Sequence, residues 1–371
     1  MIEFSFGFLK NVAIFPFITA AVLVLAGTPA VISIAKYFHL LDDPSKRPHP
    51  AHTEQRIIPR AGGLAIFLGF LAAVALFVPF SKGLMGIILG ASLLVAVGLI
   101  DDYKDVHPYV RLGVNFLAAL LAVGGGAGIS YVTNPVTGGV INFDTWRISF
   151  DFIGHHSILP VADLLAIFWI VWTMNMVGWS GGVDGQMPGF VTISAIVIGI
   201  LSFTQLTVSN FPAWTGTTLA FITAGAYFGF LFYNFYPQKI MPGYGGKSLA
   251  GYLLATLAIL STAKLGTAIL VLGVPVIDAI FVKTGQVLSG KNPTSGSRNF
   301  LHHRLLDAGW SKAKIALFYW GLSAILGAVA LILNARQKVY IFVLLGVVLA
   351  MVIIWLRFYT TWLKPQEQDN G

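Results

Sequence analysis

Cysteine is absent from the 371 residues, which excludes a disulfide framework, a thiolate metal site and a cysteine nucleophile. Charge is scarce too. Asp, Glu, Lys and Arg make up 10% of the chain, against about a quarter in soluble domains, so a water-soluble globule is excluded. Acids are outnumbered by bases, 15 to 23, for a formal net charge of +8. In so apolar a chain that surplus reports topology before partners, because Lys and Arg gather on cytoplasmic loops; it does not imply nucleic acid. What abounds is apolar surface. Hydrophobic residues make up 56%, with 28 Phe, 12 Tyr and 9 Trp, too much for a disordered chain to leave solvated.

A bilayer core of about 30 Å needs about 20 apolar residues in helix, and such runs recur. The first lies between Lys10 and Lys36 without one charged residue. It is too long for the apolar core of a signal peptide and follows no basic leader, so it is expected to be a retained span. Further runs fall near 61–81, 84–100, 112–130, 160–178, 188–206, 214–233, 248–263, 265–282, 312–333 and 338–358. They predict an all-α polytopic membrane protein: a single domain over 1–371 with about eleven transmembrane helices and a tail at 359–371. Between 131 and 159, Val140–Phe143 and Trp146–Phe150 flank Asp144-Thr145 and predict a small outer β-hairpin.

Eleven spans put the termini on opposite sides. The loops near 36–60, 101–111, 179–187, 234–247 and 283–311, the adjoining helix ends and the tail carry 17 of the 23 Lys and Arg. That face is expected to be cytoplasmic, leaving the N-terminus outside and the C-terminus inside the cell membrane. Most acids and six of the eight His share it. Acids contribute little to topology, so a concentration of Asp, His, Lys and Arg at one face points to a reaction site open to the cytosol, built from catalytic loops.

Several clusters could carry chemistry. Asp101-Asp102 and Asp105 end an apolar run, where paired carboxylates need a cationic partner. Magnesium on a diphosphate would serve, though a solvated helix end with turn-forming acids is an equal reading. The first inner loop holds His49 and four cations, Lys46, Arg47, Arg56 and Arg60, before Gly62-Gly63; the cations could hold a phosphate or simply set topology. His302-His303-Arg304 could grip phosphate or move protons, and Asp278 is an acid near the inner end of a span. Asn175 and Asp184-Gly185 lie between two spans, and Asn234 and Pro237 follow another. Gly243-Tyr244-Gly245-Gly246-Lys247-Ser248 is too short for a P-loop, yet a lysine beside flexible glycines can meet a phosphate.

In order and spacing these pieces resemble the polyprenyl-phosphate N-acetylhexosamine-1-phosphate transferases. That integral-membrane family includes the phospho-N-acetylmuramoyl-pentapeptide transferases, and the resemblance runs from about 40 to 310. Arg47, His49 and Pro59–Gly63 resemble its first cytoplasmic motif, and Asp101-Asp102 with Asp105 its acidic motif. Asn175 and Asp184-Gly185 resemble its Asn/Asp-Gly loop, and Asn234, Pro237 and Gly243 the next one. Asp278 corresponds to the acid near span nine, and His302-His303-Arg304 to the histidine motif.

The resemblance implies transfer of a sugar-1-phosphate from a UDP-sugar to a polyprenyl phosphate lipid, for cell-envelope glycans such as peptidoglycan or lipopolysaccharide. It implies Mg²⁺, or Mn²⁺ in its place, held by Asp101, Asp102 and Asp184. It implies catalytic roles for those acids with His302 and His303. It implies substrate contacts from Arg47, His49, Arg60, Asn175, Asn234, Lys247, Asp278 and Arg304. A homodimer is compatible with it. The chain also departs from the family pattern. Gly178 and Gly181 stand for Asn and Asp, Tyr244 for a metal-binding Asp, Lys247 for Ser, and Ser297 and Phe300 for Asp and His. Lys247 could take over part of the cation's charge neutralisation. Two other classes stay open: a relative that binds lipid phosphate or nucleotide without turnover, and a transporter with broken helices. The transporter ranks last because the ionisable groups map to one face instead of the bilayer centre.

Overall fold

A computed structural model describes residues 6–45, 53–151, 155–204, 211–260, 265–293 and 296–359. A short helix α1 (Phe6–Leu9) and a π-helical turn (Lys10–Ile14) lead into α2 (Phe15–Tyr37). Two-residue strands β1 (Leu41–Asp42) and β2 (Ile58–Pro59) precede α3 (Gly62–Phe77), α4 (Lys82–Lys104) and α5 (Pro108–Gly124). After strands β3 (Tyr131–Thr133), β4 (Val140–Asn142), β5 (Ile148–Asp151) and β6 (His155–Ile158) come α6 (Pro160–Trp179), α7 (Gln186–Thr204), α8 (Phe211–Asn234) and α9 (Gly243–Leu260). The chain continues with α10 (Leu265–Val271), α11 (Gly273–Leu288), α12 (Leu301–Asp307), α13 (Lys312–Ile332) and α14 (Ala335–Phe358).

Each apolar run read from the sequence contains a helix among the described residues, so the protein is all-α and polytopic. Seven helices are long and apolar enough to cross a bilayer among the described residues, or eight if α10 and α11, bent by 78° at their junction, count as one span. Helices α3 and α5, at 16 and 17 residues, are apolar but shorter, and α9 opens with Gly-Tyr-Gly-Gly-Lys-Ser; the expected eleven is reached when these three cross with the other eight.

Local chemistry sets the ends. Ser81 accepts a hydrogen bond from Leu84 N to cap α4, and Ser311 does the same for α13 through Lys314 N. Asn334 and Gln337 form a capping box on α14. Proline opens α5 and α6, where its missing N–H costs nothing.

The outer strands form, but they pair differently from the expected hairpin around Asp144-Thr145. β3 pairs with β4 (Thr133↔Val140) and β5 with β6 (Asp151↔His155). Asn134 decides the first pairing. Its Oδ1 accepts from Val136 N at 2.8 Å and Thr137 N at 3.3 Å, an Asx turn stronger than the Asp-Thr break.

Helix α9 is the axis of the bundle, buried continuously from Ser248 to Ala258 and packed by α3, α4 and α6. A side chain at Gly98 of α4 would overlap the Gly245 backbone, so the two helices touch main chain to main chain at the start of α9. Outward faces of α2 and α14 stay apolar, with Val22, Ile34, Leu344 and Ile354 exposed to the surface that lipid would cover.

Candidate functional site

A cavity of about 560 Å³ opens at one end of the bundle, where α4, α6, α8 and α11 finish and α5, α7 and α9 begin. That volume is in the usual range for small-molecule sites, roughly 300–1,000 Å³. Its walls come from segments that the sequence assigns to a single membrane face.

The floor is built by loop-to-loop pairing. β1 and β2 pair antiparallel (Asp42↔Ile58), and Arg60 N donates to Leu40 O at 3.0 Å, which sets Arg60 beside Asp42. The loop after α8 then joins: Met241 N donates to Pro59 O at 2.7 Å and Gly62 N to Met241 O at 3.0 Å.

Two charge networks line or back the cavity. In the first, the Arg60 guanidinium meets Asp42 and Asp102 at 3.3 Å and Asp101 and Asp105 at 3.7 Å. Arg111 adds contacts to Asp101 at 2.5 Å and Asp105 at 3.6 Å. Asp102 also accepts from Tyr244 N at 3.4 Å, resting a carboxylate on the N-terminus of α9. The Tyr244 hydroxyl donates to Asn115 Oδ1 at 2.7 Å.

In the second, buried Asp184 accepts from Gln238 N and Nε2, both at 3.1 Å, and lies 3.2 Å from Lys312 Nζ and 4.0 Å from Arg56. Lys312 also reaches Glu54 at 3.1 Å, and Arg56 pairs with Glu54 at 2.9 Å. Burial opposes the charge on Glu54, but hydrogen bonds from Arg56 and Lys312 override it and hold its pKa at about 2. Asn234 ties the network together, accepting from Gly185 N at 3.1 Å and donating to Gln238 Oε1 and Ile240 O at 2.9 Å.

The histidines form the opposite wall. Asp278 is fully buried, and both its oxygens accept from Leu301 N at 3.0 Å, anchoring α12 by its first turn. That places His302 and His303 with ring centroids 4.2 Å apart, His302 stacking on Phe300 at 5.9 Å. His302 is 1% exposed and its Nδ1 has no hydrogen-bond partner. Burial, with His303 and Lys247 nearby, pushes its pKa well below the usual histidine value, so the ring is neutral.

Of the sequence-predicted residues, Arg60, Asn175, Asn234, Lys247, His302 and His303 line the cavity. Asp101, Asp102, Asp184 and Asp278 stand behind it as buried anchors for side chains or helices that do. Arg304 is turned away, donating from Nε to Asn299 O at 2.8 Å. Arg47 and His49 lie outside the described residues. Sequence reasoning gave no role to Glu54, Arg111, Gln238, Lys283 or Lys312. The one available signal was that each is a polar side chain at the inner end of an apolar run or in an inner loop.

Similarity to known proteins extends over most of the chain. A family model described as "Glycosyl transferase family 4" matches residues 84–262. A Bacillus subtilis protein named "Probable undecaprenyl-phosphate N-acetylglucosaminyl 1-phosphate transferase" is 27% identical over 91% of this chain and 90% of its own length. The decaprenyl-phosphate N-acetylglucosaminephosphotransferase of Mycolicibacterium smegmatis is 27% identical over 91% of this chain and 86% of its own. The phospho-N-acetylmuramoyl-pentapeptide-transferase of Bacillus licheniformis is 30% identical over 75% of this chain and 85% of its own.

Proposed function

The chain belongs to glycosyl transferase family 4, and from that membership we propose that it transfers N-acetylhexosamine-1-phosphate from a UDP-sugar to a polyprenyl phosphate. An oxygen of the lipid phosphate attacks the β-phosphorus. The bond from that phosphorus to the bridging oxygen breaks, UMP leaves, and a lipid-diphosphate-sugar remains. The matched relatives are named for these same partners, a polyprenyl phosphate and an N-acetylhexosamine phosphate.

The observation that carries the reading is a cavity whose wall places Arg60, Arg111, Lys247, Lys283, His302 and His303 together at one end of a helix bundle. Phosphoryl transfer depends on positioning and charge neutralisation more than on covalent help from the protein, and these side chains supply both. Arg60 and Arg111 are held at the rim by Asp101, Asp102 and Asp105; the Asp184 network fixes the loops on either side. The cavity end is the face that carries 17 of the 23 bases, which supports a cytoplasmic site in the cell membrane, with the N-terminus outside.

Enzymes of this family are generally metal-dependent, and Mg²⁺ on Asp101, Asp102 and Asp184 is the sequence expectation. The donor set does not fit it. Asp101 and Asp102 already face two guanidiniums, and Asp184 belongs to the other network with its own cations. No group of three or more His, Asp or Glu side chains that could hold a metal ion occurs among the described residues.

The test is UMP release by purified full-length protein, given undecaprenyl phosphate and a panel of radiolabelled UDP-sugars. Release with one sugar, lost in His302→Ala, supports the reading. No release and no nucleotide binding with any of them overturns it; binding without release would favour a non-catalytic relative.

A further inference from the structure

We propose that Lys247, with His302 beside it, grips the diphosphate of the nucleotide substrate directly, so that nucleotide binding needs no divalent cation. This deepens the reading above and rests on it. The carboxylates that would otherwise ligate a metal are occupied. Arg60 and Arg111 together contact Asp42, Asp101, Asp102 and Asp105 at 2.5–3.7 Å. Magnesium needs near-octahedral oxygen ligands at about 2.0–2.1 Å, and a dication entering there would meet two fixed guanidiniums.

Lys247 is the converse case. It lines the cavity, yet makes no hydrogen bond or ion pair with any described residue. Its neighbours leave it room. A Cβ built on Gly181 would lie 3.5 Å from Lys247 Cε, and one on Gly182 would overlap the His302 ring. Bare backbone at 182 is thus what lets the imidazole stand in the wall, and position 181 lies within van der Waals reach of the lysine. A carboxyl-bearing side chain at 181 would reach the lysine and pair with it; glycine leaves the ammonium available.

His302 supplies an independent sign of a ligand. It is 1% exposed, its ring lines the cavity, and its Nδ1 is unsatisfied by protein. A buried polar nitrogen of that kind is costly unless something bonds it. A diphosphate oxygen accepting from Nδ1–H and from the lysine ammonium would satisfy both groups. Lysine is a compact point charge with three donors, suited to non-bridging phosphate oxygens.

Binding of UDP-N-acetylglucosamine to the full-length protein in detergent, with EDTA or with Mg²⁺, tests this. The expected affinities agree within about twofold, Lys247→Ala weakens binding by about tenfold (about 1.4 kcal/mol), and Lys247→Arg retains most of it. Uridine, which has no phosphate, should bind Lys247→Ala and the parent protein alike. Binding seen only with Mg²⁺, or unchanged in a folded Lys247→Ala, overturns the lysine grip and leaves the proposed transferase reading intact. Failure to bind the nucleotide under either condition overturns both.

Discussion

Arg60 and Asp102 meet at 3.3 Å in the cavity wall, the guanidinium projecting from the first inner loop and the carboxylate from the last turns of α4. Asp102 in turn accepts from Tyr244 N in the first turn of α9, so one ion pair joins three parts of the bundle. Removing Arg60 strips Asp42, Asp101 and Asp102, all buried, of a shared guanidinium, with Arg111 still on Asp101 and Lys247 acting on Asp42 and Asp102 through space. Arg60→Ala is expected to destabilise by about 3–5 kcal/mol, the cost of stranding buried charge. Thermal melting in detergent would show it, and Arg60→Lys should recover little, since one ammonium cannot span four carboxylates.

Glu54 gives a pH signature in the second network. Its pKa falls from 4.5 to about 2 on folding, so its contribution is fully present above 4.5 and is lost as pH drops through about 2. Glu54→Gln is expected to lower stability at pH 7 by about 2 kcal/mol, and the gap to the parent protein should shrink between those two pH values. Paired melting curves across that window check the sign; a constant gap would contradict it.

His302 has the same sign of pH dependence from a different cause, burial in place of ion pairing. Its folded pKa is depressed, so the unfolded chain takes up the proton first as pH falls below 6.5, and stability drops there. In the folded protein the ring stays neutral to well below that pH. UMP release should therefore show no acid limb from His302 near 6.5, and a His302→Ala variant should lose the stability loss below 6.5.

Gly182 is the steric complement of His302. Alanine there places a methyl on the imidazole, so the ring must swing out of the wall. Small displacements of a positioning group can cost about a hundredfold in rate. Gly182→Ala should approach that loss in UMP release while melting within about 1–3 kcal/mol of the parent, the usual range for a crowded interior.

Much of this was legible in the sequence because hydropathy is a local property. The apolar runs became helices nearly where they were read, and six of the polar side chains between them, Arg60, Asn175, Asn234, Lys247, His302 and His303, line one cavity. What was hidden depends on distance through space. Lys312 reads in sequence as an ordinary first-turn residue behind the Ser311 cap, and only folding brings it to Asp184 and Glu54. Asp101 and Asp102 read as open ligands because Arg60 lies in a loop, and Arg111 in the first turn of α5, whose approach to them no local pattern reveals. The outer strands were misjoined for a related reason: alternation locates strands, whereas a turn such as that at Asn134 chooses partners.

The contact between Glu54 and Lys312 spans 258 positions of chain. Until α13 emerges from the ribosome and enters the bilayer, Glu54 and Asp184 have Arg56 but lack Lys312, the cation nearer to Asp184. The nascent protein therefore carries an unfinished centre through most of its synthesis, and a product truncated before α13 would be inserted yet inert.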